Sequence, residues 1–158
     1  MGLTGFTIAP AGGDLEAIVR LFRAYAESLE IDLEYQGFAA EMAGLPGAYA
    51  PPAGILLLAR DGLGHPIGCV AMRRLTETIC ELKRLYVAPN GRGLGLGRAL
   101  AEAALDAARA AGYAEARLDT LPSMAAALAL YRRLGFEAMD AYYETPIAGT
   151  VFMRRVLA

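Results

Sequence analysis

The stretch Ala88–Tyr113, APNGRGLGLGRALAEAALDAARAAGY, alternates four glycines (Gly91, Gly93, Gly95, Gly97) with Arg92, Leu94 and Leu96, then runs into an alanine-rich helical pattern. A tight turn needs one or two glycines, so four raise the question of what such a loop holds. Immediately upstream, Ile79–Ala88 (ICELKRLYVA) reads as a strand. Its apolar residues start on even positions, Cys80 and Leu82, and continue on odd ones, Leu85 and Val87. Strict alternation would turn one of these pairs out of the core. One extra residue near Lys83–Arg84 restores the phase, and such an insertion is a β-bulge. A bulge there bends the strand away from its neighbour and leaves backbone N–H and C=O groups for an extended ligand. The alternative is that Leu82 or Leu85 is simply exposed.

Outward from this unit, the pattern is that of one mixed α/β domain spanning residues 1–158. Phe6–Pro10 reads as a strand, and Asp14 caps a helix with apolar residues at Leu15, Ile18, Val19, Phe22, Tyr25 and Leu29. FAAEMAGL reads as a short helix. Ile55–Arg60 and Pro66–Leu75 form a hairpin around the turn residues DGLGH. Downstream, Ala114–Thr120 is a strand, and Ser123 caps a helix to Leu134 that stops at Gly135, the left-handed C-terminal residue. Strand-like runs near 136–138 and 150–157 close the chain.

The 158 residues suffice for one domain with a sizeable core, and 56% apolar with 20% charged residues is a globular composition. A net charge of -2 and a pI near 5.4 argue against a nucleic-acid partner. The N-terminus lacks a basic region followed by an apolar core, and no apolar run is long enough to cross a bilayer. A cytoplasmic protein without membrane contact is expected. Cys69 and Cys80 lie in apolar runs without CxxC spacing and read as buried free thiols. The single histidine, His65, sits in a turn, so no metal site is expected. A homodimer is left open.

Three ligands suit a strand–glycine loop–helix unit. A P-loop requires Lys and Ser/Thr after its last glycine, whereas Gly97 is followed by Arg98 and Ala99. A dinucleotide site wants GxGxxG and an acidic residue ending the next strand. Asp119 imitates the latter, but the sixth position from Gly91 is Leu96 and from Gly93 is Arg98. A diphosphate on an extended thiol arm fits both parts. The amides of the loop converge at a helix N-terminus with Arg92 and Arg98 adding charge, and the bulged strand receives the arm. Coenzyme A has this construction.

On these residues the sequence resembles the GNAT superfamily of acyl-CoA-dependent N-acetyltransferases. Arg92, Gly95 and Gly97 of RGLGLGRAL match its R/Q-x-x-G-x-G/A coenzyme loop, and ALYRRLGFE (Ala129–Glu137) looks like its closing helix and strand. The resemblance covers about half the chain. It implies an α/β (α+β) fold with a mixed, mostly antiparallel sheet flanked by helices and a bulged strand before the coenzyme loop. It also implies acetyl transfer from acetyl-CoA, as co-substrate, to a primary amine of a small molecule or peptide. Leu85, Val87, Arg92, Gly93, Leu94, Gly95, Gly97 and Arg98 are then the coenzyme-binding candidates. Many relatives carry an asparagine early in the closing helix; Ser123 and Met124 stand here instead.

The amine must lose a proton before attack. Glu81, ahead of the bulge and opposite in facing to Cys80 and Leu82, is the candidate base, the alternative being a solvated carboxylate. Tyr131 matches the family's tyrosine and is the candidate acid for the leaving thiolate, the alternative being a core tyrosine. A backbone N–H at Val87 is the candidate oxyanion donor. Arg84 and Tyr143 are candidates for the acceptor side, against solvated and packed alternatives. A non-catalytic acyl-CoA-binding regulatory module, and a dinucleotide-binding protein, are the competing functions.

Overall fold

Cys80 and Leu82 on one side of Lys83–Arg84, and Leu85 and Val87 on the other, pack against one apolar cluster. The phase slip is thus absorbed by a bulge in the backbone. In the computed structural model, which describes residues 5–29 and 31–157, this strand is β4 (Ile79–Val87). It is preceded by β1 (Phe6–Pro10), α1 (Leu15–Ser28), the short α2 (Phe38–Ala43), β2 (Ile55–Asp61) and β3 (Pro66–Arg74). After it come α3 (Leu96–Ala110), β5 (Glu115–Thr120), α4 (Ala125–Arg133), β6 (Glu137–Met139) and β7 (Val151–Val156). Residues 1–4, part of the N-terminal stretch read for a leader, lie outside the described residues.

The strands form a seven-stranded sheet in the order β1-β2-β3-β4-β5-β7-β6. Neighbours pair antiparallel except β4 and β5, which run parallel. This is the expected mostly antiparallel mixed sheet, and its antiparallel first half is incompatible with a dinucleotide fold that opens on its nucleotide loop.

One face is covered by α3, whose Ala101, Ala104 and Ala108 are fully buried and let the helix lie close to Val70, Met72 and Cys80. The other face is covered by α1. There the buried stripe is Ala17, Ile18, Leu21 and Phe22, so Val19 turns partly outward, contrary to the expected stripe. Alanine at position 17 permits the closer approach. Asp14 caps α1 as expected, accepting from the Ala17 amide at 3.3 Å. Ser123 does not cap α4: the cap position is Met124, without a side-chain bond. Gly135 follows α4 with φ 91°, as a helix-ending left-handed residue. Cys69 and Cys80 are buried free thiols. Among the described residues no helix is long and apolar enough to cross a membrane.

Candidate active site

Between Cys69 and Ala71 of β3 stands Val70 alone, whereas between their partners Tyr86 and Lys83 on β4 stand Arg84 and Leu85. Arg84 takes φ 62°, the one positive φ outside glycine among the described residues. That conformation costs an L-residue about 1–2 kcal/mol, so something must hold it. The Arg84 guanidinium donates to both Glu41 oxygens at 3.1 and 2.8 Å and to Gln36 Oε1 at 2.8 Å. It also lies over the rings of Tyr25 and Phe38. Burial opposes its charge, but the bonds to Glu41 override this and hold its pKa above the usual arginine value. The bulge is therefore clamped to the segment around α2.

Two residues ahead of the bulge the sheet opens on its other side. β4 and β5 pair only over Ile79–Glu81 and Glu115–Arg117. From there the strands diverge, and a cleft runs between Leu82–Leu85 on one side and Asp119–Leu121 on the other. Tyr25 from α1 and Met124 and Tyr131 from the α4 region complete its walls. Leu85 lines this cleft, and Val87 packs beside Gly97 at the start of α3.

The four glycines have unequal roles. A Cβ on Gly91 would stand 2.9 Å from the Ile67 carbonyl, so this glycine serves packing. Gly93 and Gly95 take φ 82° and 73° and have nothing near a would-be Cβ. Gly95 is the N-cap of α3 and provides no side-chain bond, which leaves the first-turn amides around Leu96, Gly97 and Arg98 uncapped by side chains. Arg98 pairs with Glu102 at 2.6 Å along α3. Exposed Leu94 and Arg92 stand at the mouth of this turn. Such an uncapped, glycine-flanked helix start suits a pyrophosphate.

Glu81 faces away from Cys80 and Leu82, as expected, but it is only 1% exposed rather than solvated. Its Oε1 accepts from Arg73 Nε at 2.8 Å and its Oε2 from Tyr142 Oη at 2.5 Å, while Lys83 Nζ stands 3.9 Å from Oε1. Glu81 lines a second pocket with Tyr35, Gln36, Glu41, Arg73, Lys83 and Tyr143. Gln36, Tyr35 and Lys83 belong to both pockets, so the two adjoin.

Tyr131 is buried, with Phe136 edge-on at 5.7 Å. Burial pushes its pKa well above the ordinary phenol value, helped by Tyr25 and Asp119. Tyr143, on the loop between β6 and β7, donates to Asp119 rather than lying free. Burial and that bond both raise its pKa. The neighbouring Tyr142 is raised by burial and by Glu81. The sequence singled out Asp119 only as a dinucleotide imitation; Lys83, Tyr142 and Gln36 were not singled out. A signal existed for Asp119 and Lys83, because charged residues within two interior strands are unusual.

The bulge, the divergence of β4 from β5 and the uncapped start of α3 occur together, and residues 15–136 match the model of the acetyltransferase (GNAT) family. The chain belongs to the GNAT family. It is similar to an uncharacterized N-acetyltransferase of Schizosaccharomyces pombe, 39% identical over 142 residues, covering 89% of this chain and 87% of that one. Its fold is similar to that of a GNAT-family acetyltransferase from Staphylococcus aureus, with a TM-score of 0.81, 18% identity and coverage of 98% and 100%. It is also similar to a GNAT-family acetyltransferase from Elizabethkingia anophelis with acetyl-CoA bound, with a TM-score of 0.56, 22% identity and coverage of 66% and 76%. As a GNAT member the protein is an N-acetyltransferase.

Proposed function

We propose that residues 1–158 form one N-acetyltransferase domain that moves the acetyl group of acetyl-CoA directly to a primary amine of a small molecule or peptide. The observation that carries this reading is the opening between β4 and β5 beside the uncapped N-terminus of α3. In this reading the amides of the Gly93–Arg98 turn hold the pyrophosphate, with Arg92 and Arg98 adding charge. Leu85 and Val87 give main-chain partners to the amide-bearing arm.

The acceptor enters from the pocket lined by Glu81. Its ammonium proton passes through water to Glu81, and the neutral amine attacks the thioester carbon. Charge developing on the carbonyl oxygen is met by the Val87 amide. As the C–N bond forms and the C–S bond breaks, Tyr131 protonates the leaving thiolate, and the second amine proton, passed through water, restores the Tyr131 hydroxyl. A phenol is protonated at neutral pH, as an acid in this role requires, and burial of Tyr131 only reinforces that state. Arg84, bound to Glu41 and Gln36, supports the acceptor wall instead of reaching into it, and Tyr143 shapes the same wall through Asp119.

A second reading of the base has its own support. Both Glu81 oxygens are engaged, whereas Asp119 lines the cleft that also contains Tyr131. Glu81→Gln and Asp119→Asn separate the two, since the true base loses its limb of the pH–rate profile. The overall reading is tested by CoA release from acetyl-CoA across an amine panel and by thermal stabilisation with CoA. Release with some amines and stabilisation by CoA but not NAD is expected. CoA binding without release from any amine would instead favour a regulatory module.

A further inference from the structure

The pairing of β4 with β5 sets Glu81 opposite Arg117. Two places further on, the same register would set Lys83 beside Asp119, and a flat sheet would close them into a salt bridge. The strands diverge after Glu81, and among the described residues no ion pair joins Lys83 to Asp119. Both side chains line the cleft created by that divergence.

The surrounding charges show why Lys83 differs from its neighbours. Arg73 has Glu81 at 2.8 Å and Arg84 has Glu41 at 2.8 Å. Among the described residues Lys83 has no carboxylate of its own: its nearest is Glu81 at 3.9 Å, already taken by Arg73, and its other partner is the neutral Gln36 Oε1 at 3.3 Å. The Lys83 side chain is nevertheless only 7% exposed. A buried ammonium with so little compensation is costly unless a further anion completes it. Burial depresses its pKa, with Glu81 acting in the opposite sense. Asp119 is the complementary case, a carboxylate bonded to a phenol and to no cation among the described residues.

We propose that the acceptor is an amine that also carries a carboxylate, as an amino acid does, its carboxylate seated on Lys83 and its ammonium on Asp119. Such a zwitterion supplies each wall of the cleft with the charge that the missing strand pairing withholds. Its amine is thereby presented in the cleft that also contains Tyr131, with Asp119 as the base of the second reading above, and its remaining portion points into the adjoining pocket of Tyr35, Gln36 and Tyr143. This inference rests on the transferase reading and names the substrate class for the same site.

The test is CoA release by the purified full chain at saturating acetyl-CoA, with matched acceptors: α-amino acids, their carboxamides and the corresponding amines without the carboxylate. A kcat/KM about tenfold or more higher for the acids is expected, the scale of one charge-assisted contact. In Lys83→Met the ratio of acid to carboxamide collapses toward one. Equal use of acid and carboxamide by the wild type overturns the proposal without touching the transferase reading. So does an unchanged ratio in a Lys83→Met protein that acetyl-CoA still stabilises against heat. No CoA release with any amine, together with no stabilisation by acetyl-CoA, overturns both. The wild-type ratio needs no variant and decides the matter even if Lys83→Met does not fold.

Discussion

Tyr142 donates its hydroxyl to Glu81 at 2.5 Å, joining residues 61 apart in the chain. The loop between β6 and β7 thus closes over a carboxylate that β4 buries. Replacing Tyr142 with Phe leaves one buried carboxylate oxygen without its donor. A loss of about 1–3 kcal/mol in unfolding free energy is expected. Urea denaturation of the two proteins checks it; equal midpoints would mean that water replaces the phenol at no cost.

Gly97 separates structural from ligand demands on the glycine loop. An alanine Cβ there would meet Leu130 and Val87 at 3.7 and 3.8 Å, ordinary contact distances. Gly97→Ala should therefore keep or raise stability, by up to about 1 kcal/mol from helix propensity. Its Cβ would crowd a pyrophosphate at the first turn, and acetyl-CoA should bind on the order of tenfold more weakly. Thermal melts and calorimetric titration measure both quantities.

Arg84 combines a strained backbone with a buried ion pair. Removing its guanidinium leaves Glu41 without its cation, and a loss of about 3–5 kcal/mol is expected for Arg84→Ala. Arg84→Gly loses the same pair but relaxes φ 62°, so it should be more stable than the alanine variant by about 1 kcal/mol. Chemical denaturation of both variants reads the difference; alanine at or above glycine would deny the strain.

For Tyr131→Phe, kcat should fall on the order of a hundredfold while acetyl-CoA affinity changes by about twofold or less. Single-turnover kinetics beside equilibrium binding would show the split. Unchanged turnover removes Tyr131 from the acid role.

Alkaline pH should unfold this protein more readily than its composition suggests. Burial raises the pKa of Tyr25 to about 12 and those of Tyr131 and Tyr142 further still. In the unfolded chain these phenols ionise near pH ~10. Above that pH the folded state binds more protons than the unfolded state, so stability falls as pH rises, by up to about 1.4 kcal/mol per pH unit for each tyrosine. Lys83, with its pKa depressed by burial, acts in the opposite sense. Unfolding free energies between pH 8 and 11 should stay level at first and then decline.

Local rules made the bulged strand and the glycine loop readable. Leu82 and Leu85 cannot both reach the α3 face without an extra residue between them, whatever else the chain does. Asp14 and Gly135 act within a few residues of themselves, and both ended up where the pattern put them. Val19 and Ser123 did not, because the closeness of α1 to its sheet and the exact start of α4 depend on partners distant in sequence.

The sequence by itself determined the order of elements, the interrupted β4 and the glycine loop, since each follows from side-chain periodicity and backbone freedom over short spans. Only the tertiary structure decided the state of the charges. Glu81, Lys83 and Asp119 look alike in a linear pattern. One is sealed by Arg73 and Tyr142, one is buried with little compensation, and one is held by Tyr143 at the edge of the cleft. Electrostatic environment is set by what folds over a residue, and for these three the covering groups come from β3, the segment around Gln36 and the loop before β7.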